Sequence, residues 1–75
     1  MKSYNGHRSW NCWNVSLWLS GDENMYRFCM EVLKDMGLEK ASTYLSTALD
    51  GEKTPDGGVY NRLAIRETLK TWEID

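Results

Sequence analysis

The sequence predicts an all-α fold, a compact bundle of about four short helices over 10–19, 22–36, 39–49 and 59–73, and three observations lead there. Apolar residues recur at three- and four-residue spacing through most of the chain. Capping residues and glycines fall where that pattern breaks. One stretch containing Gly and Pro, 50–58, is the only long loop, and 75 residues leave room for a single core and a single domain.

Residues 1–8 read as an irregular arm, because Asn5-Gly6 is a turn dipeptide with no periodicity around it. Ser9 is placed to cap the first helix. That helix has Trp10, Trp13, Leu17 and Trp18 on one side and Cys12, Val15 and Leu19 on the other, so apolar groups nearly surround it. Such a helix is expected to be either central to the core or half of an interface. A strand is the competing reading, since Trp13, Val15, Leu17 and Leu19 also alternate.

Ser20 and Glu23 stand at capping-box spacing, with Asp22 as an alternative cap for the second helix. Met25, Phe28, Cys29, Val32, Leu33 and Met36 form its apolar stripe, and Met25, Phe28, Val32 and Met36 are expected to pack on the first helix. Phe28→Ala is accordingly expected to cost roughly 3 to 5 kcal/mol. Gly37 ends the helix, and Leu38 can fold back onto its last turn. The third helix gathers Leu38, Ala41, Leu45, Ala48 and Leu49 on one face, with Tyr44 at the edge. The last divides its apolar residues between Tyr60, Leu63 and Ala64 and an opposite set of Ile65, Leu69 and Trp72.

A core this small obtains only about 3 to 5 kcal/mol, so other support is needed, and four Trp, four Tyr and one Phe are the main supply. Cys12 and Cys29 are too few for a disulfide framework and lack zinc-site spacing; they read as reduced, buried and small. Asn14-Val15-Ser16 is formally a glycosylation acceptor, but it lies within an apolar helix and residues 1–9 do not read as a secretory leader, so glycosylation is not expected. No apolar stretch approaches the roughly 20 residues that span a bilayer, so a cytoplasmic protein is expected.

Net charge is −2, with four basic and four acidic residues in 1–37 and five and seven in 38–75. Nothing in those totals supplies the basic footprint of a general nucleic-acid binder. Catalysis is not suggested. His7 lies in the arm, where a general base is hard to position, and its spacing to Cys12 or Cys29 supports no nucleophile pair. No cofactor is implied. Three ligands without paired spacing do not make a structural zinc site, and Asp50, Glu52 and Asp56 lack the spacing of a calcium loop. Gly57-Gly58 ahead of a helix offers N–H groups to an anion, but Asp56 repels phosphate and Thr54-Pro55-Asp56-Gly57 is more simply a turn.

The most unusual feature is Trp10-Asn11-Cys12-Trp13-Asn14-Val15-Ser16-Leu17-Trp18, with two Trp-Asn pairs three residues apart. Asn11 and Asn14 share a side of the helix beside Trp10 and Trp18. Either an amide ties down the Tyr4-Asn5-Gly6 arm, or exposed Trp with adjacent amides forms a recognition patch. Trp10, Asn11, Trp13, Asn14, Trp18, Tyr60 and Trp72 are the partner-binding candidates.

This block resembles a family of small proteins of bacteriophages, prophages and plasmids. The similarity runs through Tyr4-Asn5-Gly6, Trp10-Asn11, Trp13-Asn14-Val15, Leu17-Trp18, Asp22-Glu23 and Tyr26 to Thr54-Pro55-Asp56-Gly57 near the last helix. Cys12 and Cys29 depart from the pattern. The resemblance implies a mobile-element origin and no reaction. It points, by analogy of size and context, to stoichiometric binding of a host protein, with CRISPR effectors and restriction enzymes among the targets of such proteins. A homodimer is expected from the surplus of apolar surface. Two other readings stay open, an oligomer that sequesters a nucleotide-like ligand and a small structural or dimerisation module.

Overall fold

The structure, a computed structural model, describes residues 9–73. Its elements are α1 (Trp10–Gly21), α2 (Glu23–Met36), α3 (Leu38–Ala48) and α4 (Arg62–Glu73). The fold is all-α, and the first helix is a helix and not the strand its alternation also allowed. The arm of residues 1–8, His7 and the tether between an Asn and Tyr4-Asn5-Gly6 lie outside the described residues.

Each boundary has a local chemical cause. The Ser9 hydroxyl accepts from the Cys12 N–H and starts α1. Asp22, and not the Ser20 capping box, starts α2, its carboxylate accepting from the Met25 N–H at 3.1 Å. Gly37 takes φ +83°, which a side chain would resist, and serves at once as the end of α2 and the start of α3. This explains a junction of one residue between two helices.

The last helix starts three residues later than the 59 expected from periodicity. Val59 is instead bridged antiparallel to Lys53, and Asn61 caps α4 by accepting from the Ala64 N–H at 2.9 Å. The apolar spacing of Val59 and Tyr60 therefore belongs to the loop that enters the core, not to the helix.

The four helices form a closed ring of contacts, α1 with α2 and α4, and α3 with α2 and α4. Inside lie Cys12, Val15 and Leu19 of α1, Cys29 and Leu33 of α2, Ala41 and Leu45 of α3, and Ala64, Ile65 and Leu69 of α4, together with Tyr60. Buried Ser42 and Thr68 direct their hydroxyls to the carbonyls of Leu38 and Ala64 one turn earlier, which satisfies them without a tertiary partner.

The inner face of α2 is narrower than its apolar stripe. Cys29 and Leu33 carry the inner face of α2, with Met25 and Val32 partly buried beside them, whereas Phe28 and Met36 remain 42% and 41% exposed. The apolar arc of α2 is wider than the core it meets, and Phe28 falls on its outer edge. The large cost assigned to Phe28→Ala does not follow from this placement. Leu63 on α4 is likewise exposed, and Leu49 ends α3 as its C-terminal cap.

Candidate functional site

The odd composition of α1 resolves into three interleaved stripes. At about 100° per residue, positions spaced i, i+3, i+7 share a helix face. Cys12, Val15 and Leu19 form the buried stripe. Asn11, Asn14 and Trp18 form a second, directed at the 53–59 loop. Trp10, Trp13 and Leu17 form a third that faces away from the core, with Trp10 at 39% and Leu17 at 46% exposure and Trp13 half-buried. The repeat of Trp-Asn at a spacing of three is thus two parallel stripes with different tasks.

The polar stripe grips the loop through both backbone and side chains. The Asn11 amide forms a two-way pair with Val59, Nδ2 donating to its carbonyl at 2.9 Å and Oδ1 accepting from its N–H at 2.7 Å. This imitates a second strand partner for Val59, beside its isolated bridge to Lys53. Asn14 is wholly buried; its Nδ2 donates to Asp56 Oδ2 at 2.9 Å, while its Oδ1 accepts from the Thr54 hydroxyl. The same Asp56 oxygen accepts from the Trp18 indole N–H at 3.0 Å.

The loop is built to meet these donors. Gly57 N–H donates to the Thr54 carbonyl and Thr54 N–H to the Gly58 carbonyl, both at 2.9 Å, which closes a turn with Pro55 in its second position. Gly57 has φ +95°, as the glycine that ends such a turn requires. Gly58 is needed for a different reason: a Cβ there would stand 2.6 Å from Asn14 Oδ1. Its N–H donates at 2.7 Å to Thr54 Oγ1, the atom that in turn donates to Asn14. Hydrogen bonds from Asn14, and then from Trp18, hold the Asp56 carboxyl below the ordinary carboxylate range. Asp56 and the Gly57-Gly58 pair are therefore occupied in holding the loop.

The sequence-derived candidates consequently separate. Asn11, Asn14 and Trp18 are engaged with the loop. Tyr60 is buried in the core, where burial raises its phenol pKa. Trp72 is partly buried and meets Tyr26 edge-on, ring centroids 4.8 Å apart. Trp10 and Trp13 stay together on the outer stripe, joined by Leu17, which the sequence places on their side of the helix but not among the partner-binding candidates. Leu17 was legible from its i+4 and i+7 spacing to the two Trp residues. The Asn–loop pairing was signalled only by the joint presence of the Trp-Asn block and Thr54-Pro55-Asp56-Gly57.

Two further features complete the surface. Glu39 on α3 is shared by two arginines of α4, Arg62 at 2.9 Å and Arg66 at 2.8 Å. The Arg66 and Arg62 hydrogen bonds lower its carboxyl pKa to about 2. Beside it, an open cleft of about 460 Å³ lies between the end of α3 and the start of α4, lined among others by Asp50, Glu52, Tyr60 and Arg62. Cys12 and Cys29 are buried free thiols, and burial pushes the Cys29 pKa up to about 11, which keeps it a thiol near neutrality. Among the described residues no three of His, Cys, Asp and Glu gather as metal ligands, and no helix is long and apolar enough to cross a membrane.

Residues 1–73 match a family of unknown function (DUF7249), and the chain belongs to that family. No curated protein and no solved structure matches the chain.

Proposed function

We propose that this member of a family of unknown function is a non-enzymatic binding protein that inhibits or modulates a protein of a bacterial host. The reading places it in the host cytoplasm as the product of a phage, prophage or plasmid, and antagonism of a defence system, anti-CRISPR-like or anti-restriction-like, is the class favoured. The origin rests on the resemblance of the Trp-Asn block, and the defence role on analogy of size and context.

One observation carries the binding role: the outer stripe of Trp10, Trp13 and Leu17 lies on a helix with no charged residue, backed on one flank by the core and on another by a hydrogen-bonded loop. Exposed apolar residues that are already held in place lose little freedom on binding, and Trp is among the residues that most often dominate an interface. Nucleotide sequestration would call for an aromatic-lined cleft. The cleft beside α3 has Tyr60 as its one aromatic, and its Arg62 is already paired with Glu39, which leaves the carboxylates of Asp50 and Glu52 to repel phosphate.

Affinity capture from bacterial lysate, with mass spectrometry, tests the reading. The wild-type chain should retain a protein in stoichiometric amount that Leu17→Glu loses. Identical capture by the two forms would overturn the assignment of the outer stripe.

A further inference from the structure

The outer stripe of α1 is graded in size along its length. Trp10 and Trp13 occupy the N-terminal half, Leu17 follows, and Ser20 and Gly21 end it, all five within an arc of about 100° on the helix. The small end is open as well as small, since nothing lies within 4 Å of where a Cβ on Gly21 would stand. We propose that the free chain covers this stripe with a second copy of itself, α1 packed antiparallel on α1 about a two-fold axis. This rests on the reading of α1 as the recognition face and adds what occupies that face when no host protein does.

In this arrangement Trp10 of each chain lies over Ser20 and Gly21 of the other, and Trp13 lies against Leu17. Both pairings share one centre near residue 15, so a single two-fold axis satisfies them together, as a self-complementary interface requires. A parallel pairing sets Trp10 against Trp10 and Gly21 against Gly21, too crowded at one end and empty at the other. Charge does not oppose this partner. All 12 residues of α1 are uncharged, so two copies meet without the like-charge repulsion that a charged helix would bring to its own image. The neighbouring amides of Asn11 and Asn14 are already bonded to the loop, so little unpaired polarity is buried alongside.

The contact is short. A 12-residue helix is about 18 Å long, and one such stripe buries less than the roughly 1,200 Å² of a stable interface. The dimer is therefore weak and gives way to a partner that binds the same stripe more tightly.

Sedimentation velocity of the full chain from micromolar to near-millimolar concentration tests this, with thermal melts to verify folding. The wild type should pass from monomer to dimer as concentration rises. Leu17→Glu and Ser20→Arg alter exposed positions, so each should melt as the wild type does and weaken dimerisation about tenfold or more. Adding Trp13→Lys to Leu17→Glu should restore pairing, because antiparallel packing sets the new ammonium of one chain against the new carboxylate of the other. A wild type that stays monomeric throughout, or a dimer indifferent to Leu17→Glu and Ser20→Arg, overturns the proposal. Failure of the charge pair to rescue, in a double variant that melts cooperatively, overturns the antiparallel register. A monomeric wild type whose lysate partner is still lost in Leu17→Glu would sink the dimer and leave the proposed function standing; a stripe-dependent dimer that captures nothing would do the reverse.

Discussion

Asn14 joins the helix, the loop and the turn within one side chain. It is wholly buried, and each end of its amide has a partner from the loop. Asn14→Ala leaves the buried Thr54 hydroxyl without its acceptor, while exposed Asp56 keeps Trp18 and can turn to water, and should cost about 1–3 kcal/mol, read as a lower melting temperature. Gly58→Ala attacks the same contact from the other side, since its Cβ would overlap Asn14 Oδ1, and a cost of about 1–3 kcal/mol is expected for a close-packed site that must shift. Because Asn14→Ala removes the overlapping atom, the two substitutions should combine to less than their sum in a double-mutant cycle. By contrast Phe28→Ala should cost about 1 kcal/mol or less, for its ring is 42% exposed. At this scale the sequence marked Asn11 and Asn14 as unusual but not what they bind. An amide's donors and acceptor announce that partners are needed; which partner depends on a fold that brings together residues about forty positions apart, as Asn14 and Thr54 are. Phe28 and Cys29 differ by one position on the wheel, and only the true crossing of α2 over its neighbours decides which of them points inward.

The helices themselves were largely legible because their ends are local chemistry. Ser9, Asp22 and Gly37 act where their residue types say they should. The start of α4 departs from the apolar spacing because Val59 and Tyr60 continue that spacing while serving a bridge and the core, and Asn61 holds the true cap. Asn61→Ala should therefore lower stability by about 1 kcal/mol, the usual cost of an N-cap, and a melt unchanged by the substitution would argue for an earlier helix start. Between α3 and α4 the fastening is ionic. Glu39 has its pKa lowered to about 2 by the Arg66 and Arg62 hydrogen bonds. A carboxyl whose folded pKa is depressed contributes stability above its unfolded pKa, about 4.3 for Glu, and loses it as pH falls toward the folded value. The melting temperature should drop between pH 5 and pH 2, and Glu39→Gln should flatten part of that drop while leaving the portion that Asp56 supplies through Asn14 and Trp18. Equal slopes for the two proteins would show that the bridge between α3 and α4 is not held in solution. All of Glu39's partners lie 23 or more residues along the chain, so this pairing was not visible in any local pattern.

For the molecule as a whole, fold class and the scarcity of core were readable from length and periodicity, whereas the way the chain strengthens that core was not. The aromatic supply is spent only in part inside: Tyr60 is buried, Trp72 and Trp13 partly so, and Trp10 stays out. What closes the structure instead is the loop pinned across α1, a polar device lying over an apolar interior. Cys12 and Cys29 report on that closure, because they sit at 1% and 0% exposure on two different helices. A thiol reagent at pH 8 can reach them only when the core opens, and the Cys29 pKa, near 11 through burial, further limits its thiolate while the chain is folded. Both thiols should react with an aromatic disulfide reagent far more slowly in the native protein than in denaturant, and with similar rates if one cooperative opening exposes them. Asn14→Ala should then accelerate both, by about tenfold for each 1.4 kcal/mol of stability lost, since exchange through a global opening follows the unfolding equilibrium. Acceleration of Cys12 alone would mean that the loop secures only α1 and that α2 opens independently. Fast labelling of both thiols in the wild type would show that the ring of four helices does not close without a partner, and would move the stabilising role from the loop to whatever covers α1.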